Sequence, residues 1–273
     1  MGIYEHLIGP NLHHWNQGFC ESLAKNCGDA LVKALVEVKE ASVTYRIRHG
    51  ASPTLKETVI QSIKREKLDV EIQALKEVYF SVNPGETLAV VGRNGAGKST
   101  LLKLLARVLP PTSGQVIVRG SVAPMIELGA GFNGELTGRE NVVLYGTLLG
   151  RKPKEMQSRA DSIAAWAGIE ESIDLPLRTY SSGMVAKLAF AVATDVKSDV
   201  ILVDEVLSVG DAEFQEKSKE RMREFFQGDS AVIIVTHDEK AVRDLASKAI
   251  WIDHGRVMEY GEVDKVLSAY LDG

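Results

Sequence analysis

The chain has 273 residues, of which 45% are hydrophobic and 25% are charged, and this is the composition of an ordinary globular protein. A formal net charge of −5 gives no electrostatic support for bulk binding to nucleic acid, so we expect no nucleic-acid partner. No apolar run is long enough to span a bilayer, and the N-terminus lacks the basic start and apolar core of a signal peptide. These properties predict a cytosolic protein or one that a partner holds at a membrane.

Residues 1–33 have no clear domain character and are predicted to be an N-terminal extension. Trp15, Phe19 and Leu23 fall at helical spacing, which favours a short amphipathic helix, with disorder as the alternative. The cysteines and histidines of this segment match no zinc-site spacing, so we interpret Cys20 and Cys27 as ordinary thiols of a reduced compartment.

Two strand-type segments follow, over residues 35–45 and 72–82, and an insert at 46–71 separates them. Apolar residues at helical spacing predict a helix within the insert; they are Leu55, Val59, Ile60 and Ile63. The insert also has more basic than acidic residues. It is either a solvated amphipathic helix that caps the domain or a basic element near acidic lipid or pyrophosphate head groups.

The stretch from Leu88 to Thr100 is an apolar strand, a glycine-rich turn and the start of a helix. The G-x-x-x-x-G-K-[ST] pattern is matched by Gly92, Gly97, Lys98 and Ser99. Glycines let the backbone N–H groups close on a polyphosphate, and the helix N-terminus adds partial positive charge. We expect Lys98 to reach the β- and γ-phosphates and the Ser99 hydroxyl to ligate Mg²⁺. The predicted binding loop consists of Gly92, Arg93, Asn94, Gly95, Ala96, Gly97, Lys98, Ser99 and Thr100.

Strands and helices alternate after this loop. The predicted elements are a strand at 115–118, a glycine-punctuated loop at 127–132, a helical region from 137 to about 167, a helix at 185–193, strands at 199–203 and 231–235, a hairpin at 249–257 and a closing helix at 263–271. This alternation predicts an α/β fold with a largely parallel sheet.

Two acidic residues, Asp204 and Glu205, end a run of four aliphatic residues. A buried strand would carry both carboxylates to the edge of the sheet where the phosphate loop also lies. Asp204 is suited to be a partner of Mg²⁺, and Glu205 is suited to orient and polarise an attacking water.

Two further segments are suited to contact phosphate. Ser181 and Ser182 precede a helix and are good N-cap residues, so they predict a second helix N-terminus that can approach an anion. His237 follows an aliphatic strand at the same sheet edge, where it is expected to contact the γ-phosphate.

The order of these motifs resembles the nucleotide-binding subunit of an ABC transporter, over about residues 35–265. Phosphate loop, Ser-Ser-Gly-Met, Asp-Glu, Ser-Val-Gly-Asp at 208–211 and His237 occur in that order. The chain is most similar to the polysaccharide exporters, on three features. These are Y-S-S-G-M in place of L-S-G-G-Q, the stretch I-E-L-G-A-G-F at 126–132, and the helical insert after Tyr45.

The resemblance implies an ATPase domain at 34–273 of the P-loop NTPase type. Its mixed, mostly parallel sheet is joined by an antiparallel β subdomain and by a helical subdomain at about 120–185. It also implies that ATP and Mg²⁺ bind, that Tyr45 stacks on adenine and that His237 senses the γ-phosphate. In a head-to-tail dimer, Ser181, Ser182 and Gly183 would face the ATP held by a second copy, and Asp211 would help to join the two sites.

The chain departs from the commoner family pattern at two places. Glu127 stands where a glutamine is usual. We expect it to act in coupling to the membrane partner; the alternative is a direct part in catalysis, since a carboxylate can orient water or approach Mg²⁺. Ser182 and Met184 replace glycine and glutamine of the common signature, but Ser182 keeps the loop small, so contact with phosphate should persist.

The implied function is that of a motor which hydrolyses ATP and energises export of lipid-linked O-antigen, capsule or teichoic-acid glycans. It would lie peripherally at the cytoplasmic face of the inner membrane and contact the glycan only through an integral-membrane permease. Because the chain ends at Gly273, we expect no carbohydrate-binding domain and no affinity for free glycan. One alternative is the ATPase of a drug or small-molecule ABC transporter, and a less favoured one is a non-transport ABC ATPase.

Overall fold

The structure is a computed structural model that describes residues 33–48, 69–126, 128–195, 198–204 and 210–273. The described strands are β1 (Val36–Arg48), β2 (Asp69–Val82), β3 (Thr87–Val91), β4 (Ser113–Val118), β5 (Val122–Met125), β6 (Val200–Asp204), β7 (Ala231–Val235), β8 (Lys248–Asp253) and β9 (Arg256–Gly261). The described helices are α1 (Lys98–Leu105), α2 (Gly138–Leu148), α3 (Pro153–Ala167), α4 (Ser182–Thr194), α5 (Ala212–Phe226), α6 (Glu239–Leu245) and α7 (Val263–Asp272). Short 3₁₀ turns lie at Glu170–Ser172 and Leu177–Thr179.

The strands form two sheets. The larger sheet has the order β5-β6-β7-β3-β8-β9 and is parallel except for the antiparallel pair β8–β9. The smaller sheet is antiparallel, in the order β2-β1-β4. This architecture confirms the predicted α/β class, with a mostly parallel core and an antiparallel β subdomain.

The apolar core is divided between the two faces of the larger sheet. Ala89 and Val91 of β3 belong to a cluster that includes side chains of α2, α3, α4, α5 and α7. Leu88 and Val90 alternate to the other face, where they join a cluster formed with α1 and the smaller sheet. Helix α1 thus shares one apolar cluster with both sheets.

Strands β3, β6 and β7 are aliphatic along nearly their whole length because layers cover both of their faces. In parallel strands the carboxyl ends meet at one edge of the sheet, and ligands of α/β proteins bind there. The phosphate loop follows β3, Asp204 ends β6, and His237 follows β7, so the topology brings these three positions to the same edge.

The predicted insert is shorter than 46–71. Strand β1 continues to Arg48 and β2 begins at Asp69, and the two pair through Tyr45 with Ile72 and Arg48 with Asp69. The prediction was therefore wrong for both ends of the insert, since apolar and polar residues go on alternating to Arg48 in β1 and from Asp69 in β2, and the antiparallel ladder includes them. The predicted insert helix lies outside the described residues, as does the predicted helix of the N-terminal extension.

The region assigned to the helical subdomain also contains a strand. Residues 122–125, inside the predicted boundary at about 120, form β5 and pair in parallel with β6. Helix α4 begins at Ser182, three residues before the predicted start, because Ser181 caps it. Two helices, α5 and α6, were not predicted. In the part of the chain that the structure describes, no helix is long and apolar enough to cross a bilayer.

Candidate functional site

The phosphate loop between β3 and α1 contains two glycines at positions where any other residue would be strained. Gly92 has φ +152°, and a Cβ there would lie 2.1 Å from the Ile252 carbonyl oxygen. Gly97 has φ +111°, and a Cβ there would lie 2.6 Å from the Ala74 carbonyl oxygen. Both motif glycines are therefore required by positive φ and by close backbone approach.

Backbone hydrogen bonds brace the loop against the rest of the domain. The Ala96 N–H donates to the Arg93 carbonyl at 3.1 Å, and the Gly255 N–H donates to the Ala96 carbonyl at 2.9 Å. The Lys76 N–H in turn donates to the Gly255 carbonyl at 2.8 Å. The turn between β8 and β9 thus links the phosphate loop to β2.

Lys98 lies across its own loop. The side chain is buried, and its Nζ donates to the Gly92 carbonyl at 2.6 Å and to the Arg93 carbonyl at 3.0 Å. Charge-assisted bonds of this kind hold the loop curled while the ammonium group stays at the edge of the cleft described next.

A cleft of about 560 Å³ opens above the loop. Its walls come from the phosphate loop and α1, from the ends of β6 and β7, from β2 and from the β8–β9 turn. The lining residues are Ile72, Gln73, Ala74, Lys76, Asn94, Gly95, Gly97, Lys98, Ser99, Thr100, Asp204, Val235, His237, His254 and Gly255. The volume lies within the range of small-molecule and cofactor sites.

Asp204 and His237 are brought to this cleft from separate strands. Asp204 ends β6 opposite Val235 of β7. His237 is exposed and lies between buried Thr236 and Asp238, which caps α6. The Asp238 N–H donates to the Thr236 hydroxyl at 3.1 Å, so the backbone on both sides of His237 is held.

The cleft contains oxygen atoms that are suited to Mg²⁺. The Ser99 side chain supplies a hydroxyl and Asp204 supplies a carboxylate, and both residues line the cleft. Mg²⁺ prefers such oxygen ligands together with phosphate oxygens and water, so the residues present fit a magnesium–nucleotide complex.

Among the cleft-lining residues that were not predicted from the sequence, three have polar side chains: Gln73, Lys76 and His254. His254 adopts φ +45° in the turn between β8 and β9, which places it beside the phosphate loop. The Asp-His-Gly sequence is a signal for a tight turn, but no local pattern shows what that turn packs against.

Tyr45 lies on the exposed part of the β1–β2 ladder. Its side chain is 37% exposed, and its partner across the ladder is Ile72, which lines the cleft. Tyr45 itself is not among the residues that line the cleft. An aromatic ring at this position is next to the cleft wall rather than within it.

The start of α4 forms a separate exposed surface. The Ser181 side chain accepts a hydrogen bond from the Met184 N–H at 3.2 Å, and Ser181 and Ser182 are exposed. At Gly183 a Cβ would meet only the Ser181 Oγ, at 3.8 Å, so the space beside it is open. None of these three residues lines the cleft.

Tyr180, the residue before the α4 cap, is held by a hydrogen bond to the 3₁₀ turn at Glu170–Ser172. The Tyr180 hydroxyl donates to the Ser172 carbonyl at 2.5 Å, and burial raises the pKa of Tyr180. A Cβ on Gly138 would lie 2.3 Å from that hydroxyl oxygen, so the glycine makes room for it. The first residue of α2 and the start of α4 are thus packed together.

The remaining predicted residues lie as follows. Asp211 caps α5 and faces Lys187 of α4. Arg93 lies on the exposed side of the phosphate loop, where it donates to the Gly273 carbonyl at 3.2 Å. Glu127 and Glu205 lie outside the residues that the structure describes.

Comparison with known proteins identifies the same kind of domain. The family model described as ABC transporter matches residues 75–208. The chain is 39% identical over 241 residues to the O-antigen export system ATP-binding protein RfbB of Klebsiella pneumoniae, covering 88% of this chain and 98% of that protein. It is 35% identical over 235 residues to the teichoic acids export ATP-binding protein TagH of Bacillus cereus, covering 86% of this chain and 42% of that protein.

Solved structures share the fold. A dimeric ATP-binding cassette in a post-hydrolysis state, bound to ADP and Pi, superposes with a TM-score of 0.63 at 22% sequence identity. The match covers 84% of this chain and 98% of that one.

Proposed function

The chain belongs to the ABC transporter family, among the polysaccharide-export ATP-binding proteins, and from this premise we propose that it is the ATP-hydrolysing motor of an exporter of lipid-linked polysaccharide. The observation that carries the ATPase part is the cleft that collects Lys98, Ser99, Asp204 and His237 at one sheet edge. The names of the relatives support the polysaccharide part.

In this function the backbone of the phosphate loop cradles the ATP phosphates. Lys98 turns from the carbonyls of Gly92 and Arg93 toward the β- and γ-phosphates, while α1 presents its N-terminus to the same anion. The Ser99 hydroxyl and the Asp204 carboxylate hold Mg²⁺, which supplies positive charge against the phosphate oxygens when it is bound. Tyr45 stacks on the adenine beside Ile72.

Glu205 and His237 act on the γ-phosphate. Glu205 follows Asp204 directly in sequence, and its carboxylate orients a water and accepts a proton as the water oxygen bonds to the γ-phosphorus. The bond from the γ-phosphorus to the bridging oxygen breaks, and ADP and phosphate leave. His237 contacts the γ-phosphate oxygens from the end of β7, and Glu127 links the site to the membrane partner.

The second wall of the site comes from another copy of the chain. Ser181, Ser182 and Gly183 are exposed or beside open space and lie outside the cleft of their own chain. Serine hydroxyls, backbone N–H groups and the positive end of α4 suit a phosphate. Two chains related by a two-fold axis therefore enclose two ATP molecules, each between one cleft and the other chain's α4.

The motor works by a shift in population. ATP contacts both chains only when they are closed, so ATP favours the closed dimer and hydrolysis favours the open one. An integral-membrane permease bound at the cytoplasmic face of the membrane follows this change and moves the glycan. The motor contacts the glycan only through that permease.

The ATPase part is tested with Glu205→Gln, which keeps the shape of the side chain and removes its basicity. The variant is expected to bind ATP and form dimers with it, while turnover falls by about 100-fold or more. Phosphate release and ATP-dependent sedimentation measure these properties. Glu155→Gln, at an exposed position on α3, is the matched control and should turn over normally. Unchanged turnover in Glu205→Gln would remove Glu205 from this role.

The polysaccharide part is tested in the source cells. A strain without this chain should accumulate lipid-linked glycan inside and lose surface glycan, and the wild-type chain but not Glu205→Gln should restore it. Normal surface glycan together with altered efflux of a drug or small molecule would favour the alternative ABC transporter.

A further inference from the structure

An ion pair joins α4 to the beginning of α5. Lys187 lies six residues after Ser181 on α4, and its Nζ contacts Asp211 Oδ2. The Lys187 side chain is only 20% exposed, and its Nζ lies 5.3 Å from the centre of the Phe214 ring. A partly desolvated lysine that meets both a carboxylate and an aromatic face is more specifically held than an ordinary surface lysine.

Asp211 uses both of its carboxylate oxygens within its own chain. Oδ1 accepts a hydrogen bond from the Phe214 N–H at 3.0 Å and so caps α5. Oδ2 faces Lys187, and that contact is the first cause that holds the pKa of Asp211 below its ordinary value. Asp211 is thus fixed between two helices.

The backbone just before Asp211 passes close to the lysine. Gly210 has φ +79°, and a Cβ there would lie 3.0 Å from Lys187 Cε and 3.0 Å from Phe214 Cδ1. The chain enters α5 beside the lysine side chain, and residue 210 has no room for a Cβ unless Lys187 or Phe214 moves.

Aromatic packing continues the connection beneath the ion pair. The ring centre of Phe214 is 6.0 Å from that of Phe190 on α4 and 5.2 Å from that of Trp166 on α3. The first turn of α5 therefore packs against both helices through close aromatic contacts.

This connection relates parts of the chain that serve different ATP molecules in the proposed dimer. Asp204 lines the cleft of its own phosphate loop, whereas Ser181 at the start of α4 faces the ATP of the other copy. Residues 205–209 connect Asp204 to Gly210 and include Glu205. Asp204, at one end, is the last residue of β6. Asp211, which follows Gly210 at the other end, pairs with Lys187 of α4.

We propose that Lys187 is a positioning residue for ATP turnover. Through its ion pair it holds Asp211, and the place in which it holds Asp211 depends on the position of α4, whose start binds phosphate in the proposed dimer. Asp211 in turn fixes the end of the connection from Asp204 that includes Glu205. The inference rests on the proposed function and deepens it. It adds a contact within one chain, between Lys187 and Asp211, to the expected part of Asp211 in joining the two sites.

The experiment compares Lys187→Met, Asp211→Asn and the double variant in steady-state ATP hydrolysis. Asparagine caps helices about as well as aspartate, so Asp211→Asn removes the charge and keeps the cap. Each single variant is expected to lower kcat by about tenfold or more, while KM for MgATP changes by less than about twofold. The double variant should be no worse than the singles, because both remove the same contact. Lys187→Arg keeps the charge and should restore most of kcat.

Lys217→Met is the matched control. Lys217 also places its Nζ over an aromatic ring of this cluster, 4.9 Å from the Trp166 centre, and donates to the Trp166 carbonyl at 2.7 Å. Lys217 belongs to α5, and within the described part of the chain no hydrogen bond or ion pair joins it to Asp211, so its variant should keep the wild-type kcat.

The outcomes separate the inference from the function on which it rests. A wild-type chain that does not hydrolyse ATP would refute the proposed function. Active wild-type protein with a normal kcat in Lys187→Met, multiplicative losses in the double variant, or an equal loss of kcat in Lys217→Met would each overturn the inference alone. A fall in melting temperature with normal kcat would mean that the ion pair only stabilises the fold.

Discussion

At the scale of single residues, Gly138 on α2 leaves the space that the side chain of Tyr180, just before α4, occupies. Gly138 is the first residue of α2, and a Cβ there would lie 2.3 Å from the Tyr180 hydroxyl oxygen and 3.0 Å from the Ile173 carbonyl. That hydroxyl needs the space because it donates to the Ser172 carbonyl. Tyr180 directly precedes the cap residue Ser181, so this contact helps to position the beginning of α4.

Gly138→Ala should therefore destabilise the fold by about 1–3 kcal/mol through overpacking. Tyr180→Phe should cost about 1 kcal/mol for the lost hydrogen bond. Because removal of the hydroxyl makes room for the new Cβ, the double variant should lose less than the sum of the two by at least about 0.5 kcal/mol. Urea unfolding of the four proteins measures this difference, and additive losses would show that the hydroxyl is not the obstacle.

At the scale of elements, β6 is held at the end opposite to the cleft. The Asp199 Oδ2 atom, just before β6, accepts hydrogen bonds from both the N–H and the hydroxyl of Ser121, each at 2.7 Å. Gly120 has φ +78°, and a Cβ there would lie 2.3 Å from Asp199 Oδ2. These bonds place β5 beside β6 and so help to set the register that brings Asp204 to the cleft.

Asp199→Asn tests this contact through its dependence on pH. The hydrogen bonds from Ser121 hold the pKa of Asp199 below its ordinary value, so its carboxylate stabilises the fold above pH about 4 and loses that effect as pH falls through the folded-state pKa. The variant should melt about 2–4 °C below wild type at pH 7, and this difference should shrink in acid.

Thermal unfolding followed by circular dichroism at several pH values makes the measurement. Asp244→Asn changes an exposed carboxylate on α6 and should melt like the wild type at each pH. A difference between Asp199→Asn and wild type that does not change with pH would contradict the assigned role of the charge.

At the scale of the whole molecule, the proposed ATP site is divided between two chains. Lys98 and Gly183 belong to the same chain, but only Lys98 lines the cleft. Gly183→Asp should fold normally because the space beside its Cβ position is open, and its carboxylate should repel a phosphate. Lys98→Ala instead removes the cation from the phosphate loop.

Each of these two variants should be nearly inactive alone, and a mixture should regain activity. A mixed dimer has one site with both residues intact and one site with neither. Since half of the dimers in an equal mixture are mixed, turnover should reach about a quarter of the wild-type value when the sites work independently. Phosphate release by the mixture, compared with the sum of the separate variants, measures the recovery. No recovery would contradict a site shared in this way.

Much of the fold and part of the site were predictable because their signals are local. The aliphatic runs of β3, β6 and β7, the glycine pattern at 92–97 and the Asp204 position can each be recognised within a few residues. The α/β class and the family were confirmed. The roles of the individual site residues remain predictions.

Only the tertiary structure decided which distant segments meet. It assigned residues 122–125 to the parallel sheet, placed His254 and Lys76 on the cleft wall and paired Lys187 with Asp211. The physical reason is that helix caps, turn glycines and aliphatic strands each leave a pattern within a few neighbouring residues, so the sequence alone shows where these elements occur. A contact between residues far apart in the chain depends on how whole elements pack, and no single segment contains that information.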